Sequence, residues 1–242
     1  MNVDFTVAVV GNPNCGKTTL FNVLTGSRQH VGNWPGVTVE KKTGEYAFEG
    51  KLIELVDLPG TYSLEAMDEQ VSLDEKVARD FVASKTADLI INIVDASNIE
   101  RNLYLTSQLI EMRVPMLVVL NMMDSVRKRG IHIDTQQLAK LLGCPVIAIS
   151  AAKSEGIEDL QRVINQEVVH KPIPNTYIQY APELEAAILE LSYLIRSKAL
   201  EMGCDYRWLA LRGIEDDSLA RKILGSEFND TLKSFQIGRA HV

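Results

Sequence analysis

A chain of 242 residues exceeds the roughly 100–200 residues of one ordinary domain, and with 46% apolar residues it can build a packed core plus a smaller appended unit. A formal net charge of −7 speaks against a broad nucleic-acid-binding surface, which needs clustered Lys and Arg. Cys15, Cys144 and Cys204 stand far apart with no C-x-x-C pair and no companion His spacing, which suggests neither a disulfide framework nor a zinc site and fits a reducing cytosolic compartment.

Taken in chain order, residues 5–10 read as a buried strand and 17–24 as a helix. Residues 38–48 and 52–56, joined through Glu49-Gly50-Lys51, read as an antiparallel hairpin. Residues 72–84 follow a helical pattern, with Ser72 and Glu75 spaced as a capping box. Strands at 89–94, 116–120 and 146–149 then alternate with helices at 103–112, 135–142 and 157–167. That alternation predicts an α/β fold with a mostly parallel sheet covered by helices on both faces, its site at the carboxyl ends of the strands. Residues 1–6 lack the features of a secretion signal, and the longest apolar runs, 89–94 and 116–120, fall far short of the ~20 residues that span a bilayer. No membrane channel is expected of this chain alone.

The pattern changes at His170-Lys171-Pro172-Ile173-Pro174, so residues 1–168 are assigned to a first domain and 172–236 to a second. In the second, Leu184, Ile188, Leu191 and Ile195 repeat at helical spacing, and further helical stretches surround Trp208 and cover 219–224, giving a small all-α bundle. Residues 237–242 carry no pattern and read as a frayed or appended tail.

The chemistry begins at Gly11-Asn12-Pro13-Asn14-Cys15-Gly16-Lys17-Thr18, a G-x-x-x-x-G-K-[ST] phosphate loop between strand and helix, with Thr19 next. Gly11 and Gly16 let the backbone close on phosphates, Lys17 offers a point charge to β and γ oxygens, and Thr18 offers a hydroxyl to Mg²⁺. Asp57-Leu58-Pro59-Gly60 ends a strand, where Asp57 can hold Mg²⁺ through water and the Gly60 amide can meet a γ-phosphate. Asn121-Met122-Met123-Asp124 ends another strand. The Asp124 carboxylate only accepts hydrogen bonds, which suits the N1 and amino hydrogens of guanine and opposes adenine, so GTP and GDP are expected rather than ATP. Ser150-Ala151-Ala152 at the end of the last strand is the expected contact to the guanine oxygen.

Thr38, after a loop at 28–37, is the candidate switch threonine that completes the Mg²⁺ shell. Thr61 stands where many GTPases carry a water-orienting glutamine, and its short hydroxyl predicts slow turnover. The Asn14 side-chain carbonyl can coordinate a monovalent cation and place charge where an arginine finger otherwise acts. The catalytic candidates are therefore Lys17, Thr38, Gly60 and Thr61. The acidic run Glu65, Asp68, Glu69, Asp74 and Glu75 reads as a solvated stretch that suits a helix N-terminus.

These segments, with Val31-Gly32-Asn33-Trp34-Pro35-Gly36-Val37-Thr38-Val39-Glu40, Thr61-Tyr62-Ser63-Leu64 and Val94-Asp95-Ala96-Ser97-Asn98-Ile99-Glu100-Arg101-Asn102-Leu103, resemble the cytosolic GTPase region of the FeoB family of bacterial ferrous iron transporters over about residues 5–165. The resemblance implies a Ras-like P-loop GTPase followed by a helical domain that slows nucleotide release. It implies K⁺ at Asn14 and agrees with Met122 in the Asn-Met-x-Asp element. The partner it implies is a transmembrane iron-permeation domain of the same longer protein, at the cytoplasmic face of the inner membrane, with nucleotide state regulating or driving Fe²⁺ uptake. Self-association is left open, and no nucleic acid is expected. Two alternatives stand beside it: a stand-alone GTPase of ribosome assembly or tRNA modification, and a binding module that signals by occupancy without hydrolysis. Against the first, residues from Pro172 onward show neither a G-x-x-G clamp nor an RNA-reading aromatic strand.

Overall fold

The computed structural model describes residues 3–26, 28–64 and 72–237 and divides into two compact units, Met1–Leu64 with Ser72–Ile110 and Val114–Thr176, and Tyr177 onward with Glu111–Arg113. The first unit is a sheet of seven strands: β1 (Phe5–Gly11), β2 (Gln29–Asn33), β3 (Glu40–Phe48), β4 (Lys51–Asp57), β5 (Leu89–Asp95), β6 (Met116–Asn121) and β7 (Val146–Ala148), in spatial order β2-β3-β4-β1-β5-β6-β7. β1, β4, β5, β6 and β7 run parallel, while β2 and β3 pair antiparallel at one edge.

The strands are buried because their side chains alternate between two apolar layers. Val7 and Val9 of β1, Ile91 and Ile93 of β5 and Leu117 and Val119 of β6 join one core cluster with Leu20 and Phe21 of α1 (Lys17–Thr25) and Leu160, Ile164 and Val168 of α6 (Ile157–His170). The intervening Ala8, Val10, Ile90, Val94, Val118 and Leu120 are equally buried. One polar residue interrupts β5: Asn92 is fully buried and donates to Thr106 Oγ1 of α3 (Ile99–Glu111) at 2.6 Å, fixing that helix to the strand. Register sets the site. Val9 pairs with Asp57, Gly11 with Ile93 and Asp95 with Asn121, so the loops that carry chemistry all leave the same edge.

The remaining helices of this unit are α2 (Leu73–Ala83), α4 (Met123–Lys128) and α5 (Thr135–Leu142). Ser72 caps α2 by accepting from the Glu75 amide at 3.2 Å, and Asp74 and Glu75 occupy its first turn as expected; Glu65, Asp68 and Glu69 lie outside the described residues. Three departures from the sequence expectation have local causes. The loop at 28–37 contains strand β2, exposed along most of its length and paired only with β3, so no apolar alternation marks it. Helix α3 starts at Ile99, four residues early, because Asn102 ties its first turn to the strand end by accepting from the Asp95 amide and donating to the Asn98 carbonyl. The boundary between units falls after Thr176 rather than near 168–172. Met116 N–H donates to the Pro172 carbonyl, Asn175 N–H to Gly143, and Thr176 Oγ1 to Leu141, which stitch this stretch to the first unit.

The second unit is helical: α7 (Pro182–Glu201), α8 (Tyr206–Ile214), α9 (Ser218–Leu224) and α10 (Asn229–Ile237), the last with no forecast in the sequence pattern. Asp205 and Asp217 cap α8 and α9 through paired backbone amides. Ile188, Leu191 and Ile195 of α7 pack in its core with Trp208 and Leu209. A Cβ at Gly213 would lie 2.8 Å from Leu232, so glycine there sets how closely α10 approaches α8. Arg207 grips Glu185 through two nitrogens at 2.7 Å, and with the Tyr180 amide this holds the Glu185 carboxyl down at about 2.

Candidate functional site

The phosphate loop joins β1 to α1, and two glycines make its path possible. A Cβ at Gly11 would stand 2.7 Å from both Cys15 Sγ and the Ile93 carbonyl. At Gly16, φ is +89° and a Cβ would meet Asn121 Nδ2 at 2.2 Å. Between them the Cys15 amide donates to the Asn12 carbonyl at 3.2 Å, and Asn14 adopts φ +66° with its side chain exposed. Cys15 is buried beneath the loop, and burial pushes its thiol up to about 11, so it serves as a small spacer and not a nucleophile. Helix α1 has no acidic residue in its first turn, which leaves the positive end of its dipole uncompensated.

A cavity of about 570 Å³ opens at this loop, lined by Asn12, Pro13, Asn14, Gly16, Lys17, Thr18, Thr19, Gly60 and Met122. It thus gathers most of the phosphate and metal candidates. Lys17 Nζ donates to Asp57 Oδ1 at its border, and both side chains are about nine-tenths buried. A phosphate with a magnesium ion would offer each of these charges a new opposite partner. The Leu58 amide donates to the Val9 carbonyl and the Thr61 amide to the Gly11 carbonyl, holding residues 57–61 against the loop, with the Gly60 Cβ position 3.5 Å from Pro13. Thr18 and Thr19 are exposed. The Thr18 hydroxyl and Asp57 carboxylate are the hard oxygen donors that Mg²⁺ requires, so the residues present fit that ion. Asn14 is exposed on the cavity wall, where its one amide oxygen could join the shell of a monovalent cation.

The base side is braced by Asn121. Its Nδ2 donates to the Cys15 carbonyl at 3.0 Å and its Oδ1 accepts from the Ala151 amide at 2.9 Å, so one buried amide joins the phosphate loop to the Ser150–Ala152 element. Each end of the Asn121 amide thus bonds the protein and keeps one further N–H or lone pair, and Asp124 is the carboxylate of this element. The Asp124 amide donates to Ser150 Oγ at 3.0 Å, and Lys153 Nζ stands 3.4 Å from its carboxylate. Desolvation pushes the Asp124 carboxyl up, but the hydrogen bond and charge of Lys153, with Lys128 and the Ser125 amide, outweigh it and hold it below its usual range. Met122 takes the left-handed conformation at φ +64°, which lays it on the cavity wall. Ser150 and Ala151 are buried, Ala152 exposed.

Two catalytic candidates are not part of the cavity wall. Thr61 is 1% exposed and its hydroxyl donates to the Ser63 carbonyl, so it faces its own loop rather than the phosphate site. Thr38 is exposed, just before β3 and outside the strand. Its segment is anchored by Trp34, which is buried edge-on against Phe81 of α2 at 5.3 Å, while the Trp34 amide donates to the Val39 carbonyl. Sequence reasoning passed over Lys153, whose only signal was that it follows the Ser150–Ala152 element, and Gln108 of α3, which hydrogen-bonds Ser63 and Leu64. Among the described residues no cluster of three or more His, Cys, Asp or Glu is placed to hold a metal ion.

A phosphate loop opening a helix, an Asp-x-x-Gly turn beside it and an Asn-x-x-Asp turn braced to the next loop, on this strand order, define a P-loop GTPase fold of the Ras-like kind. Comparison with known proteins narrows the class. The family model for ferrous iron transport protein B matches residues 5–164, and the model for the FeoB cytosolic helical domain matches 180–238. The Fe(2+) transporter FeoB of Salmonella typhimurium strain LT2 is 46% identical over 221 residues, 91% of this chain, and that of Escherichia coli K12 is 45% identical over the same span. Among solved structures, the cytosolic domain of L. pneumophila FeoB superposes with TM-score 0.82 at 43% identity, covering 96% of this chain and 88% of the other. A GDP-bound variant of S. thermophilus NFeoB gives TM-score 0.85 at 38% identity, covering 96% and 88%. The chain belongs to the ferrous iron transport protein B family, and it spans 28% of the length of the curated relatives it matches.

Proposed function

We propose that this chain is the GTP-binding and slowly GTP-hydrolysing switch of a bacterial ferrous iron transporter, its nucleotide state regulating or driving Fe²⁺ uptake through a membrane domain borne elsewhere in the longer protein, at the cytoplasmic face of the inner membrane. The observation that carries it is the single cavity on which Lys17, Thr18, Gly60 and Met122 converge, with the Lys17–Asp57 ion pair at its border. Support also comes from the S. thermophilus relative, whose structure holds GDP. Among the described residues no helix is long and apolar enough to cross a membrane.

In this reading Lys17 and the loop amides bind the β- and γ-phosphates, and Asp124 accepts the two guanine hydrogens while its low pKa keeps it ionised at neutral pH. Thr18 and Asp57, the latter through water, hold Mg²⁺, which when bound neutralises charge on the transferring phosphoryl group; Thr38 joins them when a γ-phosphate is present. Asn14 holds K⁺ beside the phosphates. Turnover is slow because the Thr61 hydroxyl is engaged with Ser63 and cannot orient water as a glutamine does. The helical unit slows nucleotide release.

Calorimetry in Mg²⁺ is the direct test. GDP and GTP are expected to bind and ATP to bind at least about 100-fold more weakly, since adenine would turn an acceptor at N1 toward the Asp124 carboxylate where guanine offers donors. Absence of guanine-nucleotide binding by folded protein, or equal affinity for ATP, sinks the proposal. Turnover in K⁺ is expected to exceed that in Na⁺, and equal rates remove the assignment to Asn14.

A further inference from the structure

We infer that Gln108 and Arg101 are positioning residues for GTP hydrolysis: α3 holds the stretch from Tyr62 to Leu64, and through it the Gly60 amide, at the phosphate loop. This deepens the GTPase reading above and rests on it. With the Thr61 hydroxyl committed to Ser63 and its amide to Gly11, placement of the attacking water falls to where the backbone at 60–61 is held. What holds it is visible on α3. Gln108 is 5% exposed and spends both ends of its amide on the segment, accepting from the Leu64 amide at 2.7 Å and donating to Ser63 Oγ at 3.0 Å. Seven residues earlier, two helical turns and hence on the same face, the Arg101 guanidinium lies over the Tyr62 ring at 4.2 Å from its centroid.

The rail itself is fixed. Asn92 bonds Thr106 and the Asp95 amide bonds Asn102, tying α3 to β5, the strand next to the one that carries the phosphate loop. Moving residues 62–64 would leave buried groups of Gln108 unpaired. The Gly60 position, 3.5 Å from Pro13, is thereby set by α3 as well as by the loop. Gln108 lines no cavity at the phosphate loop, so it is not expected to touch a nucleotide; Arg101 lines a smaller one of about 200 Å³ with Tyr62, Asn12, Pro13 and Asn14, but not the one that Lys17 and Thr18 share. The step that needs Gly60 in place, transfer of a γ-phosphate, is where their loss should be felt.

GDP titration of the wild-type chain comes first, and failure to bind there overturns both this inference and the GTPase reading. Once GDP binding is established, Gln108→Leu is expected to leave GDP affinity within about twofold and to slow single-turnover GTP hydrolysis about tenfold or more, because small misplacements of a reacting frame are costly in rate. Gln108→Glu keeps the acceptor for the Leu64 amide and should recover part of the rate. Wild-type turnover in Gln108→Leu, or parallel loss of GDP and GTP binding, overturns the inference. As a route independent of a buried site, Arg101→Met and Tyr62→Leu should each slow turnover severalfold with no further loss in the double variant, as expected of one coupled contact. Unchanged rates, or fully additive losses, count against it.

Discussion

Two segments of the first unit were each marked in the sequence by a few telling residues, yet the structure treats them differently. The phosphate and base loops form a braced frame: Asn121 ties Cys15 to Ala151, Asp57 pairs with Lys17, and the Thr61 amide returns to Gly11. Residues 34–39 instead carry one buried anchor, Trp34 against Phe81, while Thr38 is exposed and lines none of the cavity. The difference teaches where binding energy is stored in advance. Loops already braced to one another need little rearrangement to receive GDP beyond the exchange of partners at Lys17 and Asp57, whereas a residue standing in solvent gains a role only if a ligand recruits it.

The strongest challenge to this contrast is a change inside the frame at the base. In Asp124→Asn an acceptor-only group becomes an amide with a donor, so guanine-nucleotide affinity should fall by about 10³-fold or more, while affinity for a xanthine nucleotide, which offers an acceptor where guanine has its amino group, should rise. Competition calorimetry with GDP and XDP reads both. A uniform loss for the two bases would mean that Asp124 supports the loop without touching the base.

Next in size is the brace. Asn121→Ala removes two hydrogen bonds and leaves the buried Cys15 carbonyl and Ala151 amide without that partner, so unfolding free energy should drop by about 2–4 kcal/mol. Denaturant midpoints measure it. GDP should also dissociate faster, since the two loops it would bridge are no longer held at one spacing. A stability loss below ~0.5 kcal/mol, the scale of ordinary surface changes, would show that the frame is held by packing instead.

How much of this was legible follows the range of the interactions. Strands β1, β5 and β6 and helix α5 declare themselves because burial or one-sided packing forces a local pattern. Strand β2 does not, since an exposed edge imposes no alternation, and six-residue α4 is too short to show a period. The loop residues 11–18 could be read from spacing because adjacent amides and one lysine suffice for that chemistry. The brace could not. Asn121 reaches Cys15 across 106 positions and Gln108 reaches Leu64 across 44, and nothing local in either neighbourhood announces the pairing. Thr38 was readable as a residue type in a Gly-rich loop, but its distance from the cavity wall was not.

A smaller effect tests the other side of the contrast. Thr38→Ala changes an exposed side chain, so the stability of the nucleotide-free protein should stay within about 0.5 kcal/mol and GDP affinity should be unchanged. In Mg²⁺ the preference for a GTP analogue over GDP should nonetheless shrink. A variant that loses GDP binding as well would place Thr38 in the frame, and one with its GTP preference intact would remove it from the metal shell.

The smallest effect concerns Lys153, which the frame adds to Asp124. Desolvation raises the Asp124 carboxyl, yet Lys153 leads the groups that hold it below the usual carboxylate range. A carboxylate depressed on folding stabilises the native state above its unfolded value and loses that contribution as pH falls through the lower folded one, so Asp124 should stay ionised to a lower pH than an unpaired carboxyl. Lys153→Gln removes the main opposing charge, and the carboxyl carbon signal of Asp124 followed by NMR should then titrate at higher pH. The direction matters more than the size, because Lys153 is nearly half exposed and solvent screens much of its charge. An unmoved titration would mean that Lys128 and the Ser125 amide suffice to hold the carboxylate ionised, and that the 3.4 Å contact with Lys153 contributes nothing to the readiness of the base-reading group.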